Sequence, residues 1–351
     1  MTGTTTPRFD QQGALGWRDR ALDGLNCVLR CVEAVLRFRG LEPLAVARAL
    51  NGPLDPVGRD LAKDFDGCRV DYRTAFDDGG RNVPFLLERL AAGEPVMVLP
   101  DRFHLPGDVY EGRFHFHDHA VLATRWSPRD GVITVLDTDA DPDDGFRRHW
   151  TLTPGLRALF TWVGTVAVTR PPDTTDPEEY FAARLHRDTE LFSVGARALG
   201  ELFDELTGTG LDPVTARALH VLVLGDIQPL LFLYGNALAG PLEPGGATGL
   251  PPGMAAVRTA AFGARVCAKR LGIALITAHE QSDPPAVYPR VLELARPLRT
   301  ALDRLGEALC AAGGRDGLAD AGAGDEAAAR LRERFANIKG TCFPLVEGAA
   351  T

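Results

Sequence analysis

The sequence predicts an α+β fold: an antiparallel sheet with helices in the first half, and a mainly α-helical second half. Three observations carry this. Short apolar runs bounded by turn residues, EPVMVLPD (94–101), HAVLATRW (119–126), GVITVLD (131–137) and TWVGTVAVT (161–169), mark strands in the first half. Beyond residue 172 the apolar residues recur at helical spacing almost throughout. Between the halves, PPDTTDPEE joins Pro-rich linker chemistry to an acidic helix start, which divides the chain into domains 1–172 and 173–351.

In the first domain, Asn26 can cap a helix beginning at Cys27. Val28, Cys31, Val32, Val35 and Leu36 form its apolar stripe, and Gly40 stops it. A second helix, about 84–92, runs through Gly93 into the buried strand 94–101. Strands 119–126 and 131–137 flank SPRDG, a turn suited to a hairpin, and Pro171-Pro172 closes the strand at 161–169. In the second domain, helices are predicted over 177–206, 212–239 with an interruption near Pro229, 254–278, 287–312 and 325–337. The Gly-rich stretches GPLEPGGATGLPPG and GGRDGLADAGAGD read as loops.

At 351 residues the chain is long enough for two cores, and 45% hydrophobic with 24% charged residues is ordinary globular composition. A formal charge of -9 argues against a nucleic-acid-binding surface, which needs excess Lys and Arg. The start, MTGTTTPRFDQQG, has no basic segment followed by an apolar one, so a cytoplasmic protein is expected. The most apolar stretch, LHVLVLGDIQPLLFLYG, is interrupted by Asp226, Gln228 and Pro229 and falls short of a bilayer span, so no membrane association is expected. The six cysteines, Cys27, Cys31, Cys68, Cys267, Cys310 and Cys342, form no CxxC pair, so each is a small core residue or a nucleophile.

The run RFHFHDHAVLATRW sets His115, His117 and His119 at alternate positions. In an extended segment they share one face and could hold a metal. However, the hydrolase pattern H-x-H-x-D-H needs one more residue before the final Asp-His, and no second cluster of His, Cys or acids has ligand spacing. No metal is expected. A single working histidine uses the hairpin instead. If Trp126 pairs with Val132, Val121 stands opposite Asp137, and Asp137 lies diagonal to His119 on one face. Such an acid can orient an imidazole, and the base then needs a nucleophile. Cys27, at the first turn of its helix, is the candidate, because the positive end of the dipole and a nearby imidazolium both favour a thiolate. On residue type alone, Cys27 reads first as a buried small residue and only second as a nucleophile. Cys31, one turn further in, reads as core.

The pieces LNCVLRCVEAVLRFRG, LLERLAAGEPVMVLPDRFHLP, HFHDHAVLATRW and GVITVLDTDADP, in this order, resemble the N-terminal domain of the butirosin biosynthesis protein H family, over about residues 24–168. That family has a papain-like cysteine acyltransferase fold, and the second half resembles the helical domain that often follows it. The resemblance implies Cys27 as nucleophile, His119 as general base and Asp137 as orienting acid. Members commonly carry His where this chain has Asn26, and more distant peptidases carry an oxyanion glutamine where it has Ala21. The backbone N–H of Cys27 with the side chain of Asn26 is then the expected oxyanion hole.

The expected chemistry is acyl transfer from a thioester on the phosphopantetheine arm of an acyl carrier protein, through an S-acyl enzyme, to an amine acceptor in natural-product biosynthesis. The arm arrives with the substrate, and the protein itself needs no cofactor. Asp226 and Gln228, polar residues inside an apolar helical run, and His117 are candidate acceptor-binding residues. A salt bridge from Asp226 to an arginine such as Arg217 is the plainer alternative. Arg125, Arg147 and Arg148 could meet an acidic carrier protein or be solvated surface. Three other readings use the same residues: a thioesterase or peptidase, a ring-forming release enzyme, and a non-catalytic carrier-binding scaffold.

Overall fold

The computed structural model describes residues 25–57, 65–74, 81–105, 108, 111–112, 119–138, 140, 146–153, 155–171, 173–239, 250–279, 281, 284–313 and 321–341. Among these, 25–42 with 67–171 form an α+β unit, and 43–57 with 65–66 and 173–341 form a helical unit. The chain crosses between units after Pro171, and the segment that starts at Pro43 belongs to the helical unit.

In the α+β unit, helix α1 (Cys27–Phe38) begins where Asn26 accepts the Leu29 N–H at 2.9 Å. It ends in a left-handed glycine. Gly40 has φ +87°, its N–H donates to Arg37 O at 2.9 Å, and Leu41 N–H reaches back to Leu36 O at 3.2 Å. The buried residues Leu29, Cys31, Val32, Val35 and Leu36 give the helix its inward face.

Six strands follow: β1 (Cys68–Thr74), β2 (Val96–Leu99), β3 (Val121–Ser127), β4 (Val132–Leu136), β5 (Arg147–Thr151) and β6 (Trp162–Val168). They form one antiparallel sheet in the order β1-β6-β2-β3-β4-β5. Helix α2 (Pro43–Leu50), in the helical unit, and strands β1 and β5 lie outside the sequence expectations. Helix α3 (Asn82–Ala91) lays Val83, Leu86 and Leu90, at helical spacing, onto a core of Val96, Val98, Val121, Ala123, Val135 and Val163. Gly164, paired with Tyr72 on one side and Met97 on the other, has to be glycine, since a Cβ there would lie 2.9 Å from Val70 Cγ1 and 3.1 Å from the Tyr72 ring.

The hairpin turn is one residue tighter than the spacing predicts, because Ser127 rather than Trp126 pairs with Val132. A bulge at Thr124 takes up the difference, so Ala123 meets Val135 and Leu122 meets Leu136 in the predicted alignment. One further step sets Val121 level with Asp137.

Seven more helices make up the rest of the described helical unit: α4 (Pro177–Thr209), α5 (Pro213–His220), α6 (Gln228–Ala239), α7 (Pro252–His279), α8 (Pro284–Leu292), α9 (Ala295–Ala312) and α10 (Ala321–Thr341). Asp176 and Asp212 cap α4 and α5 through their carboxylates, each followed by Pro at the first helical position. Two expectations are corrected. The helix expected over 287–312 is two helices, because Pro297 supplies no N–H and its ring excludes the carbonyl of Glu293. Conversely, Pro229 does not interrupt its run: α5 and α6 are joined by a π-helical segment, Val221–Ile227, in which Gln228 N–H donates five residues back to Val223 O. That makes Pro213–Leu238 one helical run of 26 residues with a mean hydropathy of 1.5 over its apolar window, long and apolar enough to cross a bilayer by length and composition. Of that window, 72% is buried inside the protein, as in a core helix.

Candidate active site

Three chain segments far apart in sequence meet at the N-terminus of α1. Cys27 is the first residue of the helix, and its partial exposure leaves the sulfur reachable. Immediately before β3, the Ala120 N–H donates to Cys27 Sγ at 3.2 Å. His119, one residue earlier, has its Nε2 2.7 Å from Asp137 Oδ1, just past the end of β4. Its ring also hydrogen-bonds Cys27, and with Nε2 turned to the carboxylate that bond falls to Nδ1. The bulged hairpin register explains why His119 and Asp137 share a face, and the cap explains why Cys27 sits at a helix start.

Burial works to lower the His119 pKa, but hydrogen bonds to Asp137 and Cys27 and the negative charge of both push it up to about 11. His119 is 7% exposed and Asp137 1%, so the pair operates largely out of water. Asp137 is held from further sides. Its N–H donates to Phe146 O at 2.8 Å, and Arg148 Nε on β5 forms an ion pair with its Oδ2 at 2.7 Å. Phe146 has a φ of +60°, a left-handed conformation that is costly for a bulky side chain.

Cys31 is fully buried, and burial together with the charges of Cys27 and Asp137 pushes its thiol well above the usual range. It packs as a core residue. Asn26 spends its Oδ1 on Leu29 N–H, while Cys27 and Val28, the first two residues of the helix, have no carbonyl four residues back to serve their N–H groups within it. The donors at this end are therefore the early backbone amides and the Asn26 amide nitrogen. Among the described residues, no group of His, Cys, Asp and Glu is arranged to hold a metal ion.

The structure thus brings Asn26, Cys27, His119 and Asp137 together. Asp226 and Gln228 belong to the helical unit. Asp226 pairs with Arg334 of α10 at 2.9 Å, so its charge is met within the unit, and Gln228 is buried at the start of α6. His115 and His117 lie outside the described residues. Arg148, grouped by sequence with surface arginines, is instead a member of the site. Its signal was the alternation of RRHWT, which puts Arg148 on the same face as buried Trp150, and an inward-facing arginine demands a partner.

Neither protein-family models nor curated protein sequences match this chain.

Proposed function

We propose that the chain is a cysteine-dependent acyltransferase with a papain-like α+β unit, related to the butirosin biosynthesis protein H family, acting in the cytoplasm. The observation that carries this reading is the linkage of Cys27, at a helix N-terminus, to His119 and of His119 to Asp137 at 2.7 Å. Nucleophile, base and orienting acid stand in hydrogen-bonded sequence, as nucleophilic acyl transfer requires.

In the first half-reaction, the Cys27 thiolate attacks a thioester carbonyl on a carrier-protein phosphopantetheine. The attack forms the Cys27 S–C bond, and collapse of the tetrahedral adduct breaks the C–S bond to the phosphopantetheine and passes the His119 proton to the departing thiolate. The neutral imidazole is then ready for the second half. It takes a proton from the attacking amine while the C–S bond breaks, which releases an amide and restores the thiolate–imidazolium pair. Asp137 keeps Nε2 engaged, so that Nδ1 faces sulfur throughout. The Cys27 N–H and Asn26 Nδ2 are the donors assigned to the oxyanion. Exclusion of water from the S-acyl enzyme separates transfer from hydrolysis.

The test is intact-protein mass after brief exposure to a simple alkyl thioester and to a carrier-bound one, with and without a primary amine. The native chain should gain one acyl mass and lose it to the amine, and Cys27→Ala should gain none. Discharge at one rate with or without amine would make the protein a hydrolase, and no adduct from either donor would defeat the covalent mechanism.

A further inference from the structure

The Cys27–His119–Asp137 linkage does not end at the carboxylate. Arg148 stands opposite Val135 in the β4–β5 register, diagonal to Asp137 on the same face, and its Nε lies 2.7 Å from Oδ2, the carboxylate oxygen not used by His119. The Arg148 side chain is 39% exposed while Asp137 is 1% exposed, so the arginine lies between the carboxylate and solvent. We propose that Arg148 is a positioning residue of the active site, a fourth member that fixes the plane of the Asp137 carboxylate and keeps water from it, so that Oδ1 stays on His119. The proposal rests on the acyl-transfer reading of Cys27, His119 and Asp137.

The physical case has two parts. A buried carboxylate that loses its ion-pair partner is costly, so without Arg148 it would turn toward whatever donor or water it could reach. Loss of the arginine would also open a path for water, and the higher local dielectric would weaken the hold of Asp137 on the imidazolium. Both lower the His119 pKa, against the rise that loss of a neighbouring cation alone would give, so the sign of the shift separates positioning from plain charge. Among the described residues, the groups that act on His119 include Cys27 on α1, Asp137 at the end of β4 and, through Asp137, Arg148 on β5, while Cys31 on α1 feels the charges of the same Cys27 and Asp137. Arginine suits the post better than lysine, because its planar, fixed fork orients a carboxylate where an ammonium supplies only a point charge. Phe146, in its left-handed conformation, has its carbonyl on the Asp137 N–H and so ties the same strand to the same residue two positions away.

Two readouts independent of any acyl donor test this. One is the NMR titration of the His119 ring, and the other is the rate of Cys27 alkylation by iodoacetamide near pH 6. Arg148→Gln should lower the His119 titration by about 1 pH unit, a tenfold change in its proton affinity, and should slow alkylation. Arg148→Lys should restore the alkylation rate only in part. Arg147→Gln, which removes the same charge from the neighbouring exposed position, should leave both unchanged. An unmoved titration in Arg148→Gln, an upward shift, or an equal shift in Arg147→Gln would each overturn the proposal, as would complete rescue by lysine. Should Arg148→Gln not fold, Arg148→Lys alone decides, with an unmoved titration and a native alkylation rate counting against positioning. If the native chain forms no acyl adduct while alkylation still answers to Arg148, the acyltransferase reading fails and the four-residue linkage stands.

Discussion

Each unit buries a set of charges, and the two sets are built for opposite ends. In the helical unit, Arg184 gives its Nε to Asp188 at 3.2 Å and its Nη1 to Asp66 at 2.7 Å, hydrogen-bonds the Gly52 carbonyl, and lies over the Tyr180 ring. Arg48 likewise reaches Ala237 O at 3.2 Å and Thr175 O, also stacking on Tyr180. These cations keep their charge at any physiological pH, so the network only holds α2 and the following segment to α4 and α6. In the α+β unit the central group is the His119 ring, flanked by the Cys27 sulfur and the Asp137 carboxylate. A fixed charge makes a staple, whereas a charge that can be surrendered suits the acyl transfer proposed for Cys27.

Breaking the staple should have the largest effect on stability. Arg184→Met leaves Asp188, 0% exposed, without its main partner and should cost about 3–5 kcal/mol, as loss of one member of a buried ion pair generally does. Chemical denaturation would measure this, with the His119 titration in the still-folded fraction unchanged. Asp137→Asn tests the other set. It removes the anion that holds the imidazolium, so the His119 titration should fall by about 1–3 pH units and Cys27 alkylation near pH 6 should slow accordingly. NMR titration checks the first and mass spectrometry the second.

The pH dependence of stability sharpens the contrast. His119 in the folded protein keeps its proton up to about 11, whereas the unfolded chain releases it near 6.5. The folded state therefore binds more protons in that interval, and stability contributed by His119 is full below 6.5 and is lost as pH rises through about 11. The stability gap between the native chain and His119→Gln should narrow across that window in denaturation curves, and the Arg184 contribution should not change. Smallest is the helix cap. Asn26→Ala should cost ~1 kcal/mol, while Asn26→Asp keeps a capping oxygen and hence most of that stability but loses the amide nitrogen, which lowers acyl transfer in the mass assay.

Much of the site was legible because its parts are set by local rules. A cap residue before an apolar helical stripe located Cys27, and a turn between two apolar runs located the hairpin that joins His119 to Asp137. The turn itself was offset by one residue, and only the Thr124 bulge, which period-2 reading cannot see, restored the alignment where it mattered. Arg148 was legible at most as an inward-facing residue of RRHWT, and its place beside Asp137 depends on β5 joining the edge of β4. The membership of Pro43–Leu50 was hidden for a similar reason: its docking rests on Arg48 meeting carbonyls more than a hundred residues away.

The chain enters the helical unit at Pro43, returns to the α+β unit at Gly67 and leaves it again after Pro171. Neither unit can therefore be cut out as a single continuous piece of sequence. A fragment that starts after residue 172 lacks the arginine that closes over the Ala237 and Thr175 carbonyls, and a fragment that ends there carries α2 with nothing to receive it. For engineering, neither unit is a separable cassette, and exchange of the helical unit would have to carry residues 43–66 along with it.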